Sequence, residues 1–313
     1  MLQGGAKLTA MRICSFLPSA TEMVCALGLA DSLVGITYEC DFPPEALAKT
    51  VVVTSRLAHA SSAGEIDRQV SEFMARGESL YQIDADTLRR VKPDLILTQD
   101  LCHVCAASPG DLKEALGRFD YAPQVLSLNP NRLADVWQDI LTVGKAAGRA
   151  TEAAAMVASL DARVREVERA TAKVSTRPRV ACLEWLDPPY IAGHWVPEML
   201  SIAGGEDVLG KVAEPGFRSE WAKVYEAQPE IIVVAPCGYH LAETVKEFRG
   251  MKFPAGWEEL PAVESRRVFA VDASSYFSRP GPRLAAGVEI LAELIHPGLI
   301  RVELPPASFA SLA

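Results

Sequence analysis

Arg12-Ile13-Cys14-Ser15-Phe16-Leu17-Pro18-Ser19-Ala20-Thr21-Glu22, running on to Leu27-Gly28, decides how this chain is read. A short buried strand gives way to a proline turn and then to a helix, with Ser19 and Glu22 at the spacing of a capping box. Leu27-Gly28-Leu29 closes that helix, and Val34-Gly35-Ile36 starts a second strand. A strand feeding a helix start places unpaired backbone N–H groups and the positive helix end at the C-terminal edge of a sheet. Ligands bind at that edge in open α/β folds. The loops that follow each strand are therefore the place to look for chemistry, and Ser19 is the first candidate ligand contact.

Outward from this stretch, one design occurs twice. Thr87-Leu88-Arg89-Arg90-Val91-Lys92-Pro93-Asp94-Leu95-Ile96-Leu97 and Lys223-Val224-Tyr225-Glu226-Ala227-Gln228-Pro229-Glu230-Ile231-Ile232-Val233 each read as a helix stopped by proline and followed at once by a buried strand. The recurrence predicts two lobes of related architecture, since solenoid repeats are far shorter. Between them lies an amphipathic run from Leu133 to Ala147, broken at Gly148, and a second from Thr151 to about Val174. Roughly 24 residues of helix span about 36 Å, enough to bridge two lobes. The expectation is an α/β fold of two lobes with mostly parallel sheets, joined by a long backbone helix, with a ligand cleft between the lobes. Residues 11–130 form the first lobe, 131–174 the helical connector and 178–300 the second lobe.

Composition narrows the function. A net charge of −9 without a basic stripe argues against nucleic acid as the partner. No segment approaches the roughly 18–20 uninterrupted apolar residues of a membrane span. Residues Met1 to Ala10 hold one Lys and no apolar core, which predicts no secretory signal and a cytoplasmic protein; a leader upstream of Met1 would place it in the periplasm instead. The seven cysteines are an odd number without a secreted disulfide pattern. Cys14, Cys25 and Cys182 fall in apolar strand or helix patterns and read as small core residues.

The other four thiols fall in the post-strand loops. Cys102-His103-Val104-Cys105 is the sharpest local signal, with Cys40 and Cys237 in other loops. Together the four could hold zinc or an iron–sulfur cluster, and the Cys102–Cys105 pair alone could form a redox disulfide or bind nothing. The same loops carry Tyr38, Trp185, Tyr190, Trp195, Tyr239, Tyr276 and Phe277, flat walls suited to a large planar ligand such as a corrinoid or tetrapyrrole. His103, His240, His59 and His194 are candidate axial or hydrogen-bonding groups. Arg56 and Arg279 would meet an anionic group on the ligand. No nucleophile elbow, P-loop, HExxH or complete GxGxxG is present, so no catalytic constellation is read.

The opening stretch, with Asp41-Phe42-Pro43, Lys92-Pro93-Asp94-Leu95-Ile96, Gly193-His194-Trp195 and Ala203-Gly204-Gly205, resembles the helical-backbone class of solute-binding proteins, and within it those that bind vitamin B12. The resemblance spans nearly the whole chain. It implies a non-catalytic ABC-transporter-type binding protein that takes cobalamin or a related metal chelate. It also implies docking to an importer through one acidic residue on each lobe, placed here at Asp86 and Ala222. Ala222 lacks that charge, although Glu220 lies two residues away, and the thiol cluster departs from the exported vitamin B12 binders. The alternative is a metalloprotein or redox enzyme built on Cys40, Cys102, Cys105 and Cys237.

Overall fold

The computed structural model describes residues 11–58, 60, 62–100, 109–117 and 119–312. The chain divides into two compact units. The first takes in residues up to 57, 73–129 and 142–153; the second takes in 58–72, 130–141 and 154 onward.

In the first unit, β1 (Ile13–Ser15), α1 (Pro18–Ala26), β2 (Leu33–Thr37) and β3 (Val51–Ser55) follow one another. After α2 (Ala63–Arg76), which starts in the second unit, come β4 (Tyr81–Ile83), α3 (Ala85–Val91), β5 (Leu95–Thr98), α4 (Pro109–Leu116) and β6 (Gln124–Ser127). The sheet order is β4-β3-β2-β1-β5-β6. All pairings are parallel except β3 with β4. Ile13, Cys14 and Ser15 are all fully buried, as a strand covered on both faces requires. The expected capping box does not form. The N-cap is Leu17 and Pro18 opens the helix, because a fixed φ and a missing N–H suit the first helical position. Ser19 and Glu22 therefore lie inside α1, and both are buried.

Next come α5 (Leu133–Ala146) and α6 (Ala150–Thr171). Glu289 is nearly buried and receives Arg163 of α6 in a two-pronged pair at 2.9 and 2.6 Å. Asp139 of α5 is different: its Oδ2 is buried and meets no hydrogen-bond partner among the described residues. Burial, and then the charge of Asp135, push its carboxyl up to about 7. A raised folded-state pKa means the native protein holds a proton that the unfolded chain has released, so stability falls as pH rises from about 4 to about 7. Asp139→Asn is expected to flatten that fall and to be more stable than the parent at pH 8 by about 1–2 kcal/mol, a figure kept modest because water reaches part of the side chain. Urea titrations at pH 5 and pH 8 check it.

The second unit contains β7 (Arg179–Leu186), β8 (Pro189–Ile191), α7 (Val196–Ile202), β9 (Glu206–Asp207), β10 (Phe217–Arg218), α8 (Trp221–Glu226), β11 (Ile231–Val234), α9 (Leu241–Gly250), α10 (Pro261–Glu264), β12 (Val268–Val271), α11 (Ala273–Tyr276), α12 (Leu284–Ile295) and β13 (Phe309–Ser311). Its sheet order is β10-β8-β7-β11-β12-β13, with β9 beside β7. The parallel core β9, β7, β11 and β12 carries antiparallel flanks, β8 and β10 on one side and β13 on the other. This sheet is mixed: β7 returns at once as β8 in a hairpin, whereas β10 and β13 come back antiparallel to β8 and β12 only after intervening helices. Val180 to Leu183 and Ile231 to Val234 are fully buried.

The repeated phrase folds alike in both units. Strands β5 and β11 follow helices α3 and α8, and the residues before the two prolines, Lys92 and Gln228, take nearly the same left-handed turn at φ 42° and 43°.

Candidate ligand site

The strand ends of the first unit hold four of the candidates. Tyr38, after β2, is 45% exposed; its hydroxyl donates to Glu39 Oε1 at 3.1 Å, and its ring lies 6.4 Å from that of Tyr81. Arg56, after β3, lines a depression of about 500 Å³ together with Asp84, Asp86, Asp111 and Glu114. Ser19 is buried within α1. Cys40 is buried too, its thiol 3.1 Å from the Thr21 hydroxyl.

Cys102, His103 and Cys105 lie outside the described residues, as does His59. Cys237 is exposed in the second unit. Among the described residues no group of three His, Cys, Asp or Glu side chains could hold a metal ion. Burial pushes the Cys14 thiol up to about 12 and the Cys182 thiol well above its ordinary value, so both are inert core groups.

The second unit sorts the aromatic residues into two kinds. Trp195 and Phe277 are 5% and 2% exposed, and the Trp195 indole N–H donates to the Phe277 carbonyl at 2.7 Å. They are internal walls of the fold and offer a ligand no free face. Trp185 and Tyr239 are half-buried, their rings edge-to-face at 5.3 Å. Trp185, expected in a loop after its strand, lies inside β7, which runs on to Leu186, where the hairpin to β8 begins. Burial, and then Glu247 and Glu243, push the Tyr239 hydroxyl up to about 12, so it stays a neutral donor. Tyr276 is half-buried with the Arg283 guanidinium 5.7 Å from its ring centre; Arg279 follows three residues on, also half-buried.

His240 follows Tyr239 directly and is the N-cap of α9, its backbone N–H donating to Glu243 Oε2 at 2.9 Å. Its Nδ1 is 3.1 and 3.2 Å from the two Asp272 oxygens. Asp272 is fixed in turn at the start of α11, where it accepts the Ser275 N–H. The His240 side chain thus has two partners: the Asp272 carboxylate facing Nδ1, and the Glu243 backbone N–H, which it accepts in the capping box. His194 takes φ 52° and stacks on Trp195, its Nδ1 3.3 Å from Asn131 Oδ1. Burial lowers its pKa, which keeps the ring neutral.

Three residues enter the surroundings of Trp185 without a local signal in the sequence. Ala63 accepts the Trp185 indole N–H at 3.3 Å, Asp67 accepts the Tyr190 hydroxyl at 3.1 Å, and Glu247 accepts the Ala63 N–H at 3.1 Å. On a helical plot Asp67 reads as a solvated face residue; only tertiary pairing across more than a hundred positions gives it a partner.

A parallel core sheet in each of two units, with a long helix between them in the chain and aromatic residues at strand ends, is the build of a two-lobed solute-binding protein. The sequence model of the periplasmic binding protein family matches residues 13–274, and the chain belongs to that family. It is 25% identical to an uncharacterized ABC transporter substrate-binding lipoprotein of Bacillus subtilis over 292 residues, covering 91% of this chain and 80% of the relative. It is 24% identical to a vitamin B12-binding protein of Vibrio cholerae, covering 90% of this chain and 87% of that one. Among solved structures, a periplasmic heme-binding protein of Pseudomonas aeruginosa superposes with a TM-score of 0.74 at 18% identity, covering 96% and 97% of the two chains.

Proposed function

We propose that this protein binds a planar metal chelate, a corrinoid or haem, against the Trp185–Tyr239 face, with His240 Nε2 as the metal's axial ligand. The observation that carries the reading is the Asp272-held imidazole on the residue that follows Tyr239 in the chain, Tyr239 being paired with Trp185. The two rings, inclined at 69° to one another, make an apolar corner in which one ring face can stack on a macrocycle, and an imidazole already held in place costs little reorganisation on coordination. The names of the relatives, vitamin B12-binding and heme-binding, support the ligand class. Delivery to an importer belongs to the same reading. Asp86 on α3 has a side chain that is 77% exposed, and Glu220, the exposed N-cap of α8, is the acid available in the second unit.

Spectrophotometric titration with hemin, aquocobinamide and cyanocobalamin tests it. Saturable band shifts with hemin or aquocobinamide that are lost in His240→Ala are the expected result. Binding of cyanocobalamin alone, unaffected by that substitution, would remove the axial role and leave the aromatic wall. No shift with any of the three would sink the chelate reading.

A further inference from the structure

We propose that residues 62–72 form a cap latched over the Trp185 face of the second unit, and that the Asp67 carboxylate is the latch controlling access to that face. The inference rests on the reading of Trp185 as a ligand wall. Among the described residues, these polar contacts tie the cap to the rest of the second unit. The Ala63 carbonyl takes the Trp185 indole N–H at 3.3 Å, and the Ala63 N–H donates to Glu247 Oε1 at 3.1 Å. Asp67 accepts the Tyr190 hydroxyl at 3.1 Å and faces the Arg218 guanidinium at 3.7 Å, its own side chain only 13% exposed. The Asp187 carboxylate adds a close fit, since a Cβ on Gly64 would lie 2.8 Å from its Oδ2.

The arrangement is electrostatically consistent. The first N–H groups of a helix have no acceptor within it and carry its positive end, and here Glu247 accepts the Ala63 N–H and the Ser62 hydroxyl that of Glu65. Burial, then Asp67, raise the Tyr190 pKa, which keeps its hydroxyl a donor to the latch. What the cap lacks is a core: Ala63 is the only described residue of α2 that is buried. A segment held by a few polar contacts and little apolar area opens locally at far lower cost than the sheet beneath it. Trp185 gives the N–H at its ring edge to the cap, so a ligand entering past that edge must displace or share that contact.

Asp67→Ala removes the Tyr190 acceptor and the Arg218 partner together and is expected to raise the open fraction of the cap about tenfold. Two readouts need no chelate: hydrogen exchange of residues 62–72, and the Trp185 component of acrylamide quenching, obtained by difference from Trp185→Phe. Both should rise in Asp67→Ala and, more weakly, in Tyr190→Phe, and association of hemin or cyanocobalamin should quicken in parallel. Exchange and quenching unchanged in both variants, or exchange in the parent already at the unprotected rate, overturns the latch. A rise in exchange without faster association of a chelate that binds overturns the control of access. If neither chelate binds either protein, the proposed function falls, while quenching and exchange still decide the cap.

Discussion

Trp185→Ala is expected to weaken chelate binding about a hundredfold, close to 2.7 kcal/mol, the scale of an aromatic anchor in a well-packed site. The loss has one main source, the ring face that a macrocycle would cover. Trp185 meets Tyr239 edge-on, so removing the indole also leaves the remaining wall without its neighbour. Trp185→Phe separates the roles of this residue. It keeps a flat but smaller ring and loses the N–H that reaches Ala63, so it should lose less affinity than the Ala variant while binding and releasing ligand faster. Isothermal titration gives the affinities and stopped-flow absorbance the rates. Equal affinity in the Ala variant and the parent would move the ligand wall elsewhere, with Tyr276 the next residue to test.

Gly193→Ala should cost about 3 kcal/mol of stability, at the upper end for overpacking a rigid site. A Cβ added there would overlap the Gly216 backbone nitrogen and lie 2.5 Å from the Glu214 carbonyl oxygen. Every one of these neighbours is main chain, so no side chain can rotate away. The His194 N–H donates to the same Glu214 carbonyl at 2.6 Å, which pins the loop from the other side. The loss should show in urea and thermal melts followed by circular dichroism. A melt within experimental error of the parent would mean that the 213–216 loop yields freely.

Much of the architecture was written in short-range signals. Pro18 marks where α1 begins even though Ser19 and Glu22 suggest a cap two residues beyond the observed one at Leu17, because both signals point to the same turn. The two helix-Pro-strand phrases fold as α3 to β5 and α8 to β11, and a chain that must turn sharply before a proline takes the same left-handed step at Lys92 and Gln228. The fate of the aromatic residues was not legible. Trp185 and Trp195 both follow or end an apolar strand pattern, yet one keeps an open edge and the other is sealed by Phe277. That difference depends on which distant segment packs on top, and period and propensity carry no such information. The flanks of the second sheet were hidden for a related reason: β10 and β13 are two and three residues long, too brief for alternation to register.

The second unit is assembled from three separate stretches of chain, and that has a consequence for how the protein is made. Residues 62–72 leave the ribosome early, but Ala63 and Asp67 must wait for partners 122 and 123 positions downstream, and Ala63 for another 184 positions on. Closing so long a loop delays a contact far more than it weakens it. In refolding followed by pulsed hydrogen exchange, protection of the α2 amides should therefore trail that of β7 and β11. For the same reason a fragment beginning at residue 154 would emerge with Trp185 and Tyr190 bare, and the C-terminal half should be stickier alone than within the whole chain.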